Sequence, residues 1–134
     1  MNLNTQFSGL FTALLFVIFQ SCSPTSSSDP QVTVTEFVEI RTAHPEAIII
    51  DVRTPAEYNS GTIEGANNIN VLDDSFVPKV STLDKSKTVM VFCKSGGRSA
   101  RAKAQLQELG FTDVVDLEGG IKGWKAADKK VVQP

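Results

Sequence analysis

Three short β-rich apolar runs and one strand–helix–strand pattern predict a three-layer α/β sandwich with a mostly parallel central sheet. The runs are Ile48–Ile50, Val89–Phe92 and Val114–Leu117, and each is continuous rather than alternating, as expected of strands buried on both faces. Taken in order, Val32–Val34 is β-rich, and Thr35 is placed to cap a helix carrying Phe37, Val38 and Ile40. Ile48–Ile50 is bounded by Pro45 and Asp51. Between Val89–Phe92 and Val114–Leu117, the segment 98–109 spaces Ala102, Leu106 and Leu109 among charged residues and ends at Gly110, a helix with a glycine stop. Strand, helix and strand within about 30 residues form one βαβ unit, which requires a parallel pair.

The chain has 134 residues, a formal net charge of −2, one histidine and two cysteines. The charge balance argues against a nucleic-acid partner, and so few cysteines and histidines argue against a disulfide scaffold or a His-rich metal site. No cofactor or metal is expected. The charge is unevenly placed, because Met1 to Ser28 contain no charged side chain. Leu10–Phe19 is almost wholly apolar, yet at about 1.5 Å per residue it falls short of the ~30 Å hydrocarbon core, so it reads as an export signal. Ser21-Cys22 resembles the lipobox of bacterial lipoproteins, although Phe19 and Gln20 stand where that motif has Leu and a small residue. The resemblance implies lipidation of Cys22. Ser23–Pro30 has nothing to bury and reads as a tether. The expected organisation is a signal over 1–21, a lipid-anchored tether over 22–31 and a folded domain over 32–130. That makes an exported, periplasm-facing membrane lipoprotein.

The loop Cys93-Lys94-Ser95-Gly96-Gly97-Arg98-Ser99 falls between a buried strand and a helix N-terminus, where open α/β sheets bind ligands. Two glycines let successive N–H groups converge, the helix N-terminus adds partial positive charge, and Lys94 and Arg98 add full charges. A thiol in such a cradle is held toward the thiolate, so Cys93 is a candidate nucleophile. The plain alternative is a cysteine that packs as a small hydrophobe at a strand end, a role that needs neither the glycines nor the cations.

This loop resembles the active-site loop of rhodanese-like sulfurtransferases. Three further stretches resemble that family in order and spacing. They are Ile50–Tyr58 (IDVRTPAEY), Gly61–Ile69 (GTIEGANNI) and Leu117–Trp124 (LEGGIKGW), so the resemblance spans about residues 45–127. It implies sulfane-sulfur transfer: Cys93 takes sulfur from an anionic donor such as thiosulfate and passes it to cyanide or a thiol through a persulfide. Lys94, Ser95, Gly96, Gly97, Arg98 and Ser99 would bind the donor, with Arg98 and Lys94 orienting its sulfonate. Asp51, Arg53 and Glu57 would brace the loop, with Arg53 reaching Glu57. A non-turnover persulfide carrier or sulfur-binding module fits the same residues. Four residues separate Cys93 from Arg98. Cysteine phosphatases and arsenate reductases use one more, so the smaller ring disfavours a tetrahedral phosphate.

Thr62 stands where the family commonly has His, which removes or alters any hydrogen bond made there. Glu64 and Asn70 stand where prolines are common, an expected loosening of that turn away from the chemistry. Lys94 in place of Arg keeps charge and gives up bidentate geometry. His44 reads as a solvent-facing loop residue and Trp124 as the anchor of a terminal helix. Lys122, Lys125, Lys129 and Lys130 read as a solvated basic end.

Overall fold

The computed structural model describes residues 30–134. The signal, Cys22 and nearly all of the expected tether therefore lie outside the described residues. The elements follow the chain as α1 Val34–Ala43, β1 Ile48–Asp51, α2 Pro55–Asn59, β2 Asn67–Asn68, α3 Phe76–Val80, β3 Val89–Phe92, α4 Gly97–Glu108, β4 Val114–Asp116 and α5 Gly120–Ala126. The sheet order is β2-β1-β3-β4, and every pair is parallel.

Alternate residues of the same strands feed two separate cores, as a side-chain period of two requires. Ile50, Val89 and Val91 pack with Phe76 and Val80 of α3 and Ala102 and Leu106 of α4. Ile49, Met90 and Phe92 pack with Phe37 of α1 and Ile121 and Trp124 of α5. The sheet is thus covered on both faces, and the strands are continuously apolar for that reason. Trp124 meets Phe37 edge to face at 6.2 Å and donates its indole N–H to the Lys130 carbonyl at 2.8 Å, tying down the segment after α5. That segment returns to pair Val132 with Thr62.

The N-terminal edge differs from the sequence expectation. Val32 makes only a bridge to Leu117, and Thr33 rather than Thr35 caps α1. The reason lies three residues on: Glu36 follows Thr33 at the spacing of a reciprocal capping box, whereas Thr35 is followed by Val38. A second box, Thr54 with Glu57 and with Pro55 in the first turn, starts α2. Helix α4 runs one residue earlier at each end than expected. Its stop is a Schellman arrangement, in which Gly110 at φ +95° donates to Gln107 and Phe111 donates to the Leu106 carbonyl. The two-residue strand β2 carries no apolar run, and its sequence gave no signal for it.

Asn70, expected to leave its turn loose, closes it by accepting from the Leu72 amide at 3.1 Å. His44 ends α1 on the surface, as expected for a loop residue.

Candidate active site

Cys93 directly follows β3 at the carboxyl end of the sheet, on the face packed by α4, and is 1% exposed. Strand β3 fixes its backbone on one side and the α5 entry fixes it on the other. Ile121 donates to the Cys93 carbonyl at 2.9 Å, and Lys122 donates to the Lys94 carbonyl at 3.1 Å. This close approach explains the Gly119-Gly120 pair. Gly120 has φ +55°, and a Cβ there would stand 2.4 Å from the Cys93 oxygen and 2.7 Å from the Lys94 carbonyl carbon.

The loop then turns through Gly96 at φ +116°, a conformation that only glycine adopts without strain, and α4 begins at Gly97. The turn aims the Gly96 N–H at Cys93 Sγ, 3.1 Å away. The Ser99 hydroxyl is within reach of the sulfur and donates to the Gly96 carbonyl at 3.1 Å. Burial pushes the Cys93 thiol up. The Ser99 side chain and the amides of Ser99, Gly96 and Ser95 outweigh it, and the thiol is held below its ordinary value. Gly96 serves as the N-cap of α4 without a side-chain cap, so the first turn of that helix keeps its N–H groups directed toward the sulfur side. Lys94, Ser95 and Gly97 are exposed at the mouth, Gly96 and Ser99 are buried, and Arg98 is half-buried.

Of two carboxylate–guanidinium pairs nearby, one reaches this loop, and the partners in both correct the sequence expectation. Arg53 does not reach Glu57. It folds back on Asp51, donating through Nε at 2.9 Å and through Nη2 at 2.6 Å, and it also donates to the Gly61 carbonyl at 2.8 Å. The two residues are 0% and 4% exposed, and the guanidinium carbon lies 6.0 Å from the centre of the Phe92 ring. Two-residue spacing in extended chain puts both on one face, so the local partner wins. Thr62 completes the set by donating to Asp51 Oδ2 at 2.8 Å, a hydrogen bond in the place where the family's usual histidine is missing.

Glu57 instead receives Arg98 in bidentate form, at 2.7 and 2.8 Å. The Arg98 hydrogen bond, helped by Thr54 and set against partial burial, holds the Glu57 carboxyl down from 4.5 to about 2. Arg98 was expected to orient a donor. Both of its terminal nitrogens are engaged by Glu57, so its first role in this geometry is to clamp the start of α4 to α2. Two residues that sequence reasoning passed over also enter the site from the far side of the loop. Gln31 donates to the Gly96 carbonyl at 3.3 Å and to Asp116 Oδ2 at 2.7 Å.

Two outcomes follow. Gly120→Ala forces a side chain into the Cys93–Lys94 backbone. It should cost at least about 2 kcal/mol in urea unfolding and raise the Cys93 thiol pKa. For Glu57, the folded value lies below the unfolded one, so the contribution of its pair is full above about pH 4.5 and is lost as pH falls toward about 2. The stability gap between the native chain and Glu57→Gln should therefore narrow over that window.

Comparison with known proteins agrees with this geometry. The model of the rhodanese-like domain family matches residues 33–127. A sulfurtransferase of Allochromatium vinosum is 33% identical over 90 residues, covering 66% of this chain and 81% of that protein. The thiosulfate sulfurtransferase GlpE of Shewanella oneidensis is 31% identical over 102 residues, covering 76% and 98%. Among solved structures, a rhodanese-related protein of Thermoplasma volcanium superposes with a TM-score of 0.68 at 32% identity, covering 78% of this chain and 98% of its own. A parallel sheet that delivers a buried cysteine to a glycine turn at a helix start, matched over nearly the whole described chain, makes this protein a member of the rhodanese-like domain family, with sulfurtransferases among its relatives.

Proposed function

We propose that this protein is a sulfurtransferase that carries sulfane sulfur as a persulfide on Cys93. The observation that carries the reading is the Gly96 N–H at 3.1 Å from a buried sulfur whose thiol is held below its ordinary value. The thiolate attacks the outer sulfur of thiosulfate. The bond between that sulfur and the sulfonate sulfur breaks, and sulfite leaves with the electron pair. The terminal sulfur of the persulfide then sits against the amides of the loop, which take up its negative charge without reorganising. Cyanide or a thiolate attacks that sulfur, the sulfur–sulfur bond breaks, and the Cys93 thiolate returns, a covalent double displacement with ping-pong kinetics. Lys94, exposed at the mouth, meets the sulfonate of the donor. Arg98 acts through its grip on Glu57 and adds long-range positive charge.

Mass spectrometry after thiosulfate treatment under non-reducing conditions should show one added sulfur on the Cys93 peptide, removed by cyanide with release of thiocyanate. Cys93→Ser should show none. Absence of the adduct on the native chain would refute the mechanism, and a stoichiometric adduct without turnover would make the domain a carrier.

We further propose that the domain is exported and held at a membrane by lipid on Cys22. Support comes from the uncharged leader, the short apolar run and the Ser/Pro-rich segment that follows. Each buried CH₂ of an acyl chain adds about 0.8 kcal/mol, so several chains on one cysteine anchor stably. Expression with a radiolabelled fatty acid in a bacterial host should label the native chain and leave Cys22→Ser unlabelled; equal labelling of the two would overturn the assignment.

A further inference from the structure

We propose that Gln31 and Asp116 are positioning residues for the reactive sulfur, holding Gly96 in the conformation that aims its N–H at Cys93. This rests on Cys93 being the reactive thiol and goes beyond it by assigning a brace outside the loop. Gly96 is held from two sides. Its carbonyl accepts from Ser99 Oγ and the Ala100 amide, both on α4, and from Gln31 Nε2 at 3.3 Å, the contact from outside the helix. Gln31 also packs directly on the glycine: a Cβ at Gly96 would lie 2.9 Å from Gln31 Nε2 and 3.3 Å from Oε1. The same nitrogen donates to Asp116 Oδ2 at 2.7 Å, the shorter of its two bonds, so the carboxylate sets where the amide group points.

Gln31 is in turn held by the backbone beside it. The Val32 N–H donates to the Asp116 carbonyl at 2.9 Å, and the Val32 carbonyl accepts from Glu118 at 2.8 Å. The end of β4 therefore supplies both the strap that seats Gln31 and the side chain that orients it. Asp116 is 1% exposed, and its Oδ1 accepts no hydrogen bond among the described residues. Burial raises its carboxyl above its ordinary value, against the opposing influence of Ser99, Gln31 and Lys103. Keeping an acceptor at such a position is costly unless it serves partners, and Gln31, at 2.7 Å from Oδ2, is the partner that links it to Gly96. Arg98 is the charged group that acts on the sulfur, and Lys94 is exposed on the same loop. Asp51 and Glu57 lie behind Arg98, and Lys103 lies beside Asp116.

The test is the pH profile of iodoacetamide alkylation of Cys93 in the full chain, read on the Cys93 peptide by mass spectrometry, with thermal unfolding alongside. Gln31→Ala is uncharged for uncharged, so any shift reports the cradle rather than a lost charge. It should move the alkylation midpoint to higher pH and slow the reaction at pH 7 by about threefold, the size of one weakened hydrogen bond. Asp116→Asn and Asp116→Ala both remove the carboxylate, but only Asp116→Asn retains an acceptor for Gln31, so the shift between these two should match the shift of Gln31→Ala. The double variant Gln31→Ala/Asp116→Ala should go no further than Asp116→Ala. A Gln31→Ala profile that overlays the native one, with or without a lower melting temperature, overturns the proposal. So do additive effects in the double variant. Alkylation needs no sulfur donor: a native chain that alkylates readily but forms no persulfide defeats sulfur transfer and leaves the brace standing.

Discussion

A buried thiol is held below its ordinary pKa only where fixed donors replace the water it has lost, and in this protein the Ser99 side chain and amide do so together with the 3.1 Å hydrogen bond from Gly96 to Cys93 Sγ. The bond exists because one residue takes φ +116°, and the rest of the domain can be understood by asking what keeps that residue in place. Strand β3 delivers the cysteine. Helix α4 carries the glycine and the hydroxyl of Ser99. The turn into α5 pins the Cys93 and Lys94 carbonyls from the other side, at a distance that tolerates no side chain at Gly120. Each of these elements is itself anchored in one of the two cores on the faces of the sheet.

The two guanidinium–carboxylate pairs divide the remaining work by burial. Asp51 and Arg53 are withdrawn from water, and their pair is sustained by the additional bonds from Thr62 and to Gly61. Removal of either partner would leave an uncompensated buried charge, a loss of about 3–5 kcal/mol in comparable sites. Their job is to hold the end of β1 against the loop that follows α2. Glu57 and Arg98 are partly exposed, span 41 residues of sequence and join α2 to the helix whose first turn faces the sulfur. One pair rigidifies the floor of the site, and the other fixes its wall.

Much of this was legible in residue patterns. Continuous apolar runs announce strands buried on both faces, and Ile48–Ile50, Val89–Phe92 and Val114–Asp116 are such strands. A cysteine followed by two glycines points to a tight turn into a helix, and Gly96 at φ +116° before α4 makes that turn. The missed strand has a physical cause. Strand β2 is two asparagines held at the sheet edge, with Asn68 Nδ2 donating to the carbonyls of Asp51 and Arg53, a pairing that leaves no hydrophobic trace. The capping boxes at Thr33 and Thr54 were present as Thr-x-x-Glu and could have been read from the chain.

The sequence alone singled out Cys93 as the candidate nucleophile, because a thiol's neighbours along the chain supply its glycines, its cations and its helix start. It also determined the parallel α/β class, because burial on both faces is written into composition. Only the tertiary structure decided the partners. Glu57 and Arg98, Gln31 and Gly96, and Thr62 and Asp51 are all far apart in sequence, and Arg53 chose Asp51 over an equally charged neighbour four residues on. Charge and hydrogen-bonding capacity can be read from a residue's type. Which acceptor a donor meets depends on distances of about 3 Å, and those are set by how strands and helices pack.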